Sequence, residues 1–596
     1  MPPSAALQLA QGSQPIQLFQ LPDPPATGGG AAAPSRPDPG REGGYQGGGF
    51  GEGGFGDGGL EGGGLGGPLG AAEAPERLGL WTRDDGGLGY DLWRGSRRET
   101  VVALLARLSG TLDSPTLRTL VLRVLLSEAE TPGESVRAVV RDGGPGQNLL
   151  VLRGRALLAL GESAYLGALL DLVEGEAAGA PDLLELKTQA SLLTGDYGQA
   201  CATARDGVAR EPGDAFWTKA QVACQAATGE NDAAMLGLDL LRESGEGADQ
   251  GFSALAAAAL GYGEAPADPA PSALNVALVL GSDLAPPASW QDSRDPAVLA
   301  MAARDGDLGR DRRLALAERA AAAGAIQAEE LVGFYEAGRL GADQIGRAAS
   351  LAAGLAGPEA RALLYVAARG DQGPARGELI PPALASARAD GVELGVARAF
   401  APLLAELQPS DATPGLAQSA ARALFLAGRY ELAGSWIDEL RRSVGVDPTA
   451  RQALVDLWPL ARLAGVEIAG GPQDLSGWRS ARQAGGSPEA ELHAEVVTLR
   501  GLLYALGETD ALAFGELIGS ESAGPLTGTS TLLALEQAAV GARLGETVLL
   551  AALVIAENGV AGHPYPTAKA VEALNRVDRP GEARALALEA AVARGL

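Results

Sequence analysis

The sequence predicts an all-α protein: a helical-hairpin repeat solenoid preceded by a Gly/Pro-rich tail that stays disordered. Three observations lead there. A short phrase recurs as LALGES at 158–163, LLTGDY at 192–197 and AATGEN at 226–231, which sets Gly161, Gly195 and Gly229 34 residues apart. A fixed period of this length marks a helix–turn–helix unit that cannot bury its apolar stripe alone and therefore stacks on its neighbours. Ala and Leu dominate the composition, aromatics make up only 4%, and no long stretch alternates polar with apolar at period two. Residues 41–70 hold 17 glycines in 30 positions, and such a stretch cannot bury enough apolar surface to offset its ordering entropy.

Taken in order, the chain divides into a tail (1–75), a helical-repeat region with the 34-residue period (76–270) and a second helical-repeat region (271–596). Tyr45, Phe50 and Phe55 recur every five residues in the tail, as exposed rings on a tether or as weak aromatic contacts. The segment LGLWTRDDGGLGYDLWRGS offers Trp81, Tyr90 and Trp93 as a lid over the first helices. Helical periodicity begins at Glu99, with Val101, Leu104, Leu105 and Leu108 on one face. Ser114-Pro115 starts the next helix, Ser as N-cap and Pro at the first helical position, where a missing N–H costs nothing.

In the repeat proper, Asp182 and Glu185 have capping-box spacing ahead of a helix that Gly195-Asp196 ends. Its partner presents Ala200, Ala204 and Val208 and stops at Pro212. The next unit repeats the scheme with Trp217 on its first helix and Ala234, Leu238 and Leu241 on its second. Gly- and Pro-rich loops interrupt the period between 247 and 300, and helices resume at Pro271 and at Asp295-Pro296. At 421–442, Gly428, Tyr430 and Ala433 are spaced like Gly195, Tyr197 and Ala200. Three closing units share LGETD at 506–510, LGETV at 544–548 and PGEAR at 580–584, and their spacings of 38 and 36 residues suggest hairpins with slightly longer loops.

The unit 181–214 resembles the tetratricopeptide repeat. The turn Gly195, the aromatic Tyr197, the small Ala200 and the closing Pro212 sit at that family's spacing, whereas Thr188 and Ala204 replace its first-helix glycine and its later aromatic. The resemblance covers about 100 residues and implies a degenerate helical-hairpin array.

Charge narrows the partners. The formal net charge is 47 − 74 = −27, whereas phosphate binding needs a concentrated basic face, so nucleic acid is not expected. Arg94, Arg97 and Arg98, and Arg310, Arg312 and Arg313, read as solvated or carboxylate-paired side chains. Lysine occurs only at 187, 219 and 569 against 47 − 3 = 44 arginines, a skew typical of a GC-rich bacterial genome. No stretch approaches the ~20 apolar residues of a membrane span; Val548–Ala556 reads as a buried helix. As written the chain carries no export address, which places it in the cytoplasm. MPPSAALQLAQGSQP also reads as the tail of a secretory signal that starts upstream, which would place the protein in the periplasm or outside the cell.

Catalytic motifs are sparse. No lysine follows a glycine as a phosphate-binding loop requires, and the G-x-G-x-x-G at Gly62, Gly64 and Gly67 lies in near-continuous glycine with no strand before it. His493-Ala494-Glu495 lacks the following cysteine pair of a zinc deaminase, and His563 reads as a turn residue. No cofactor or metal is expected. Under the repeat register Cys201 lies early in one hairpin's second helix and Cys224 late in the next hairpin's first helix. Stacked helices place such a pair either within disulfide reach or as two small buried side chains. The expectation is a non-enzymatic protein–protein interaction scaffold whose acidic balance favours a basic or polar partner segment. The alternatives are an accessory helical domain of a cell-envelope or polysaccharide-processing system, and a passive spacer.

Overall fold

The structure is a computed structural model that describes residues 75–133, 148–243, 250–338, 341–370, 375–508 and 528–596. The tail with Tyr45, Phe50, Phe55 and its glycine motif lies outside the described residues. Among the described residues there are 28 α-helices and no strand; the only extended pairings are two isolated bridges, Trp81 with Ser127 and Arg97 with Gly133.

The helices start where local chemistry supplies partners for their first N–H groups. Ser114 accepts from Leu117 N with Pro115 at the first position, and Asp196, Asp214, Asp295, Thr413 and Asp447 cap their helices in the same way. The helix Pro181–Thr194 departs from expectation. Its N-cap is Ala180, with no side-chain cap, and Pro181 opens it; Asp182 instead faces Arg155 at 3.1 Å.

Consecutive helices pack as hairpins: Pro181–Thr194 on Tyr197–Arg210, Ala215–Ala227 on Asn231–Glu243, Pro414–Leu426 on Tyr430–Ser443, and Pro564–Arg576 on Pro580–Ala593. Their apolar faces form two clusters. One joins side chains between Leu192 and Val298; the other takes in the N-terminal helices, part of Pro181–Thr194 and most buried apolar side chains described from Leu299 onward.

A solenoid of the predicted kind has two free ends. Here the described residues bring them together. The helix Pro115–Leu126, buried at ten of its positions, packs against Leu149–Ala159 and also against Leu544–Asn558 and Pro580–Ala593. Glu589 is the main polar stitch, accepting from Ser114 Oγ (2.5 Å), Thr116 N (3.0 Å), Thr116 Oγ1 (2.7 Å) and Arg398 Nη2 (3.3 Å). Four donors thus satisfy the oxygens of this buried side chain. Arg123 adds a 2.9 Å ion pair to Glu582, and Arg107 one to Glu557.

The lid forms and spans the same seam. Trp81 is buried against Tyr165, with ring centroids 5.5 Å apart, and Trp93 is buried on the C-terminal side, where a Cβ at Gly545 would sit 2.4 Å from its ring. Tyr90, by contrast, is exposed. Gly545 N donates to Leu92 O at 3.2 Å. Arg153 pins the lid from beneath, donating to Leu125 O and Leu78 O, each at 2.7 Å, and burial pushes its pKa down to about 10.

Candidate functional site

The repeat bends are built alike. Gly161, Gly195, Gly229 and Gly428 have φ of 76°, 77°, 78° and 70°, the left-handed region that favours glycine. At each, the next residue's N–H reaches back five residues: Glu162 to Leu157, Asp196 to Ser191, Glu230 to Gln225, Arg429 to Leu424. This is the Schellman arrangement, which satisfies carbonyls otherwise left open at a helix end.

The closing bends are not all made by the glycines of the shared phrase. Gly507 does take φ 97°, but the next two turns fall at Ala542 (φ 50°) and Asp578 (φ 60°). Gly545 and Gly581 lie inside the first turns of Leu544–Asn558 and Pro580–Ala593.

Between successive repeat helices, small side chains allow close approach. Thr188, where the tetratricopeptide pattern has glycine, donates to Leu184 O and meets Thr203 Oγ1 at 2.8 Å across the hairpin. Trp217 lies over Gly207 so closely that a Cβ there would be 2.1 Å from its ring. Cys201, on Tyr197–Arg210, and Cys224, on Ala215–Ala227, are joined as a disulfide with Cα atoms 5.5 Å apart. Cys224 is fully buried. Sequence register placed both cysteines on these helices.

Each residue singled out for chemistry has a local role. His563 caps its helix, its Nδ1 accepting from Tyr565 N, and partial burial with Arg594 nearby lowers its pKa. His493 lies part-buried on Glu489–Ala505, and Glu495 beside it accepts from Arg482 at 3.0 and 3.1 Å. The arginine groups are paired locally: Arg94 with Asp91, Arg98 with Glu76, Arg310 with Tyr335 O and Arg313 with Ala303 O. Among the described residues no three His, Cys, Asp or Glu side chains converge as a metal site would require.

Two polar clusters went unseen in the sequence. In the first, Arg361 forks onto Glu318 (2.9 and 2.5 Å), Tyr335 OH donates to the same carboxylate (2.8 Å), and Arg361 also meets Ser386 and Asp390. Arg361 and Glu318 are both sealed from solvent. Burial, then Glu318, drives the Tyr335 pKa well up, and the cluster ties Arg310–Ala322, Ala328–Glu336 and Gly357–Gly370 together. The second is a cavity of about 120 Å³ lined by Arg388, Gln418, Arg422, Asp456, Trp478 and Arg482 among others. Its charges are mutually engaged, with Arg482 on Asp456 and Glu495 and Arg422 on Glu393.

The surface of the repeat array is less balanced. Between 192 and 298, twelve carboxylates are exposed among the described residues (196, 206, 211, 214, 230, 232, 239, 243, 264, 268, 283, 292) against four arginines (205, 210, 242, 294), so the surface of this stretch carries an excess of negative charge. Comparison with family models, with curated proteins and with solved structures returns no match. No described helix is long and apolar enough to cross a membrane.

Proposed function

We propose that this chain is a non-catalytic protein–protein interaction scaffold, built as a degenerate tetratricopeptide-like array, that receives a basic segment of a partner protein. The observation that carries the reading is the excess of exposed carboxylates on the hairpins between 192 and 298. An acidic face steers and selects a basic partner and repels nucleic acid and anionic surfaces. The buried acids support the non-enzymatic part. Glu318, Glu393 and Glu589 are each held by two or more donors, which leaves little freedom for acid–base work.

The test is affinity capture with the full chain beside an unrelated protein of matched net charge, scored by mass spectrometry at rising salt. Capture of proteins sharing a basic segment, absent from the matched control and lost as salt rises, is expected. Identical captures by both baits would end the proposal.

A further inference from the structure

The helix Asn231–Glu243 has one face to spare. Its inner face buries Ala234, Leu238 and Leu241 against the second hydrophobic cluster. Asp232, Leu236, Asp239, Leu240 and Glu243 follow at steps of four, three, one and three, which puts them on a single opposite stripe. Leu236 is 64% exposed and Leu240 53%, an i, i+4 apolar pair in open solvent with carboxylates above and below. Arg242, on the flank, offsets one of them through its 3.0 Å pair with Asp239. The next residues, 244–249, read SGEGAD and contain no large apolar side chain to match the leucines.

Building on the scaffold reading, we propose that this stripe is the docking face, and that its occupant is a basic amphipathic helix of a partner protein. Such a helix would set two apolar side chains at i, i+4 against Leu236 and Leu240 and its lysines or arginines against Asp232 and Glu243. Other occupants fit poorly. A second copy of the same face would oppose like charges across the two-fold axis. A lipid surface would meet carboxylates with anionic headgroups. A further exposed apolar pair among the described residues, Leu533 and Val540 on Thr529–Val540, stands seven residues apart rather than side by side at i, i+4.

The experiment titrates the full chain with a labelled Leu/Lys amphipathic peptide and with a Leu/Glu peptide of the same apolar spacing. Fluorescence anisotropy reads affinity and hydrogen exchange maps the footprint. The Leu/Lys peptide is expected to bind and to protect Asn231–Glu243. Leu236→Ser/Leu240→Ser should weaken it about tenfold or more. Asp232→Lys/Glu243→Lys should weaken it similarly and flatten the salt dependence. All four positions are exposed, and unchanged melting of the variants checks that they fold. Equal binding to wild type and both variants overturns the docking face, as diffuse charge attraction would suffice. Protection of a different surface overturns this helix while leaving the scaffold reading intact. Absence of any footprint with either peptide overturns the docking face and counts against the scaffold as well.

Discussion

At the scale of single residues, the bends show how strictly backbone conformation selects side chains, and where it fails to. Glycine occupies the left-handed position at 161, 195, 229 and 428, whereas Ala542 holds the same conformation at φ 50°. Its bonds match, since Arg543 N reaches back to Ala538 O as Asp196 N reaches Ser191 O. An L-residue with a Cβ is strained there by roughly 1–2 kcal/mol. Ala542→Gly should therefore stabilise the protein by about 1 kcal/mol, after the entropy that glycine adds to the unfolded chain. Urea unfolding of the variant measures this, and a loss of stability would mean that Ala542 makes contacts worth more than its strain.

At the scale of elements, the Cys201–Cys224 link ties two successive helices and closes a loop with a sequence separation of 23. One of the helices it joins, Tyr197–Arg210, holds small side chains, Ala200, Ala204 and Gly207, with little apolar bulk of its own. Cys201→Ser/Cys224→Ser should cost about 3 kcal/mol on chain-entropy grounds. Hydrogen exchange should show the loss across Tyr197–Arg210 and Ala215–Ala227, with helices of the larger cluster little changed. Asp295 gives a pH-dependent counterpart. Burial raises its pKa from 3.8, against the opposing pull of its cap bonds and of Arg118. The folded state then binds the proton more tightly than the unfolded chain does. This contribution is fully present below 3.8 and is lost as pH rises through the folded value. Asparagine can still cap Ala297 N, so Asp295→Asn should gain stability over wild type at neutral pH. The gain should shrink as pH falls toward 3, and a midpoint shift independent of pH would contradict the assignment.

These elements also show what was legible in advance. Repeat turns could be read because glycine followed by an acid marks a left-handed position followed by a new helix. The same phrase marks no turn at Gly545, where glycine admits the Trp93 ring. The helix starts at Ser114-Pro115 and Asp295-Pro296 were readable, since cap and proline act locally. Asp182 failed because Pro181 already begins that helix and Arg155 claims the carboxylate. The Glu318–Arg361 fork and the Glu589 stitch left no local trace, because their partners lie 43 and more than 470 residues apart.

At the scale of the whole molecule, the seam decides how the chain responds to shortening. In an open array each unit leans only on its neighbours, and removing a terminal hairpin exposes just the next one. Here the hairpin Pro564–Arg576 and Pro580–Ala593 also covers Pro115–Leu126, through Glu589 to Ser114 and Thr116 and through Glu582 to Arg123. Deleting 564–596 should strip amide protection from Pro115–Leu126 as well as from Leu544–Asn558. Protection lost from the adjacent helix alone would show that the seam contributes little.

The same seam bears on how the protein is made. Thr116 emerges from the ribosome 473 residues before the carboxylate that receives it, a wait of roughly 24 to 95 s at ordinary synthesis rates. Throughout that interval a strongly apolar rod, Pro115–Leu126, lacks the cover that Leu544–Asn558 and Pro580–Ala593 give it. Chaperone dependence of its folding during synthesis should therefore rise as elongation is slowed.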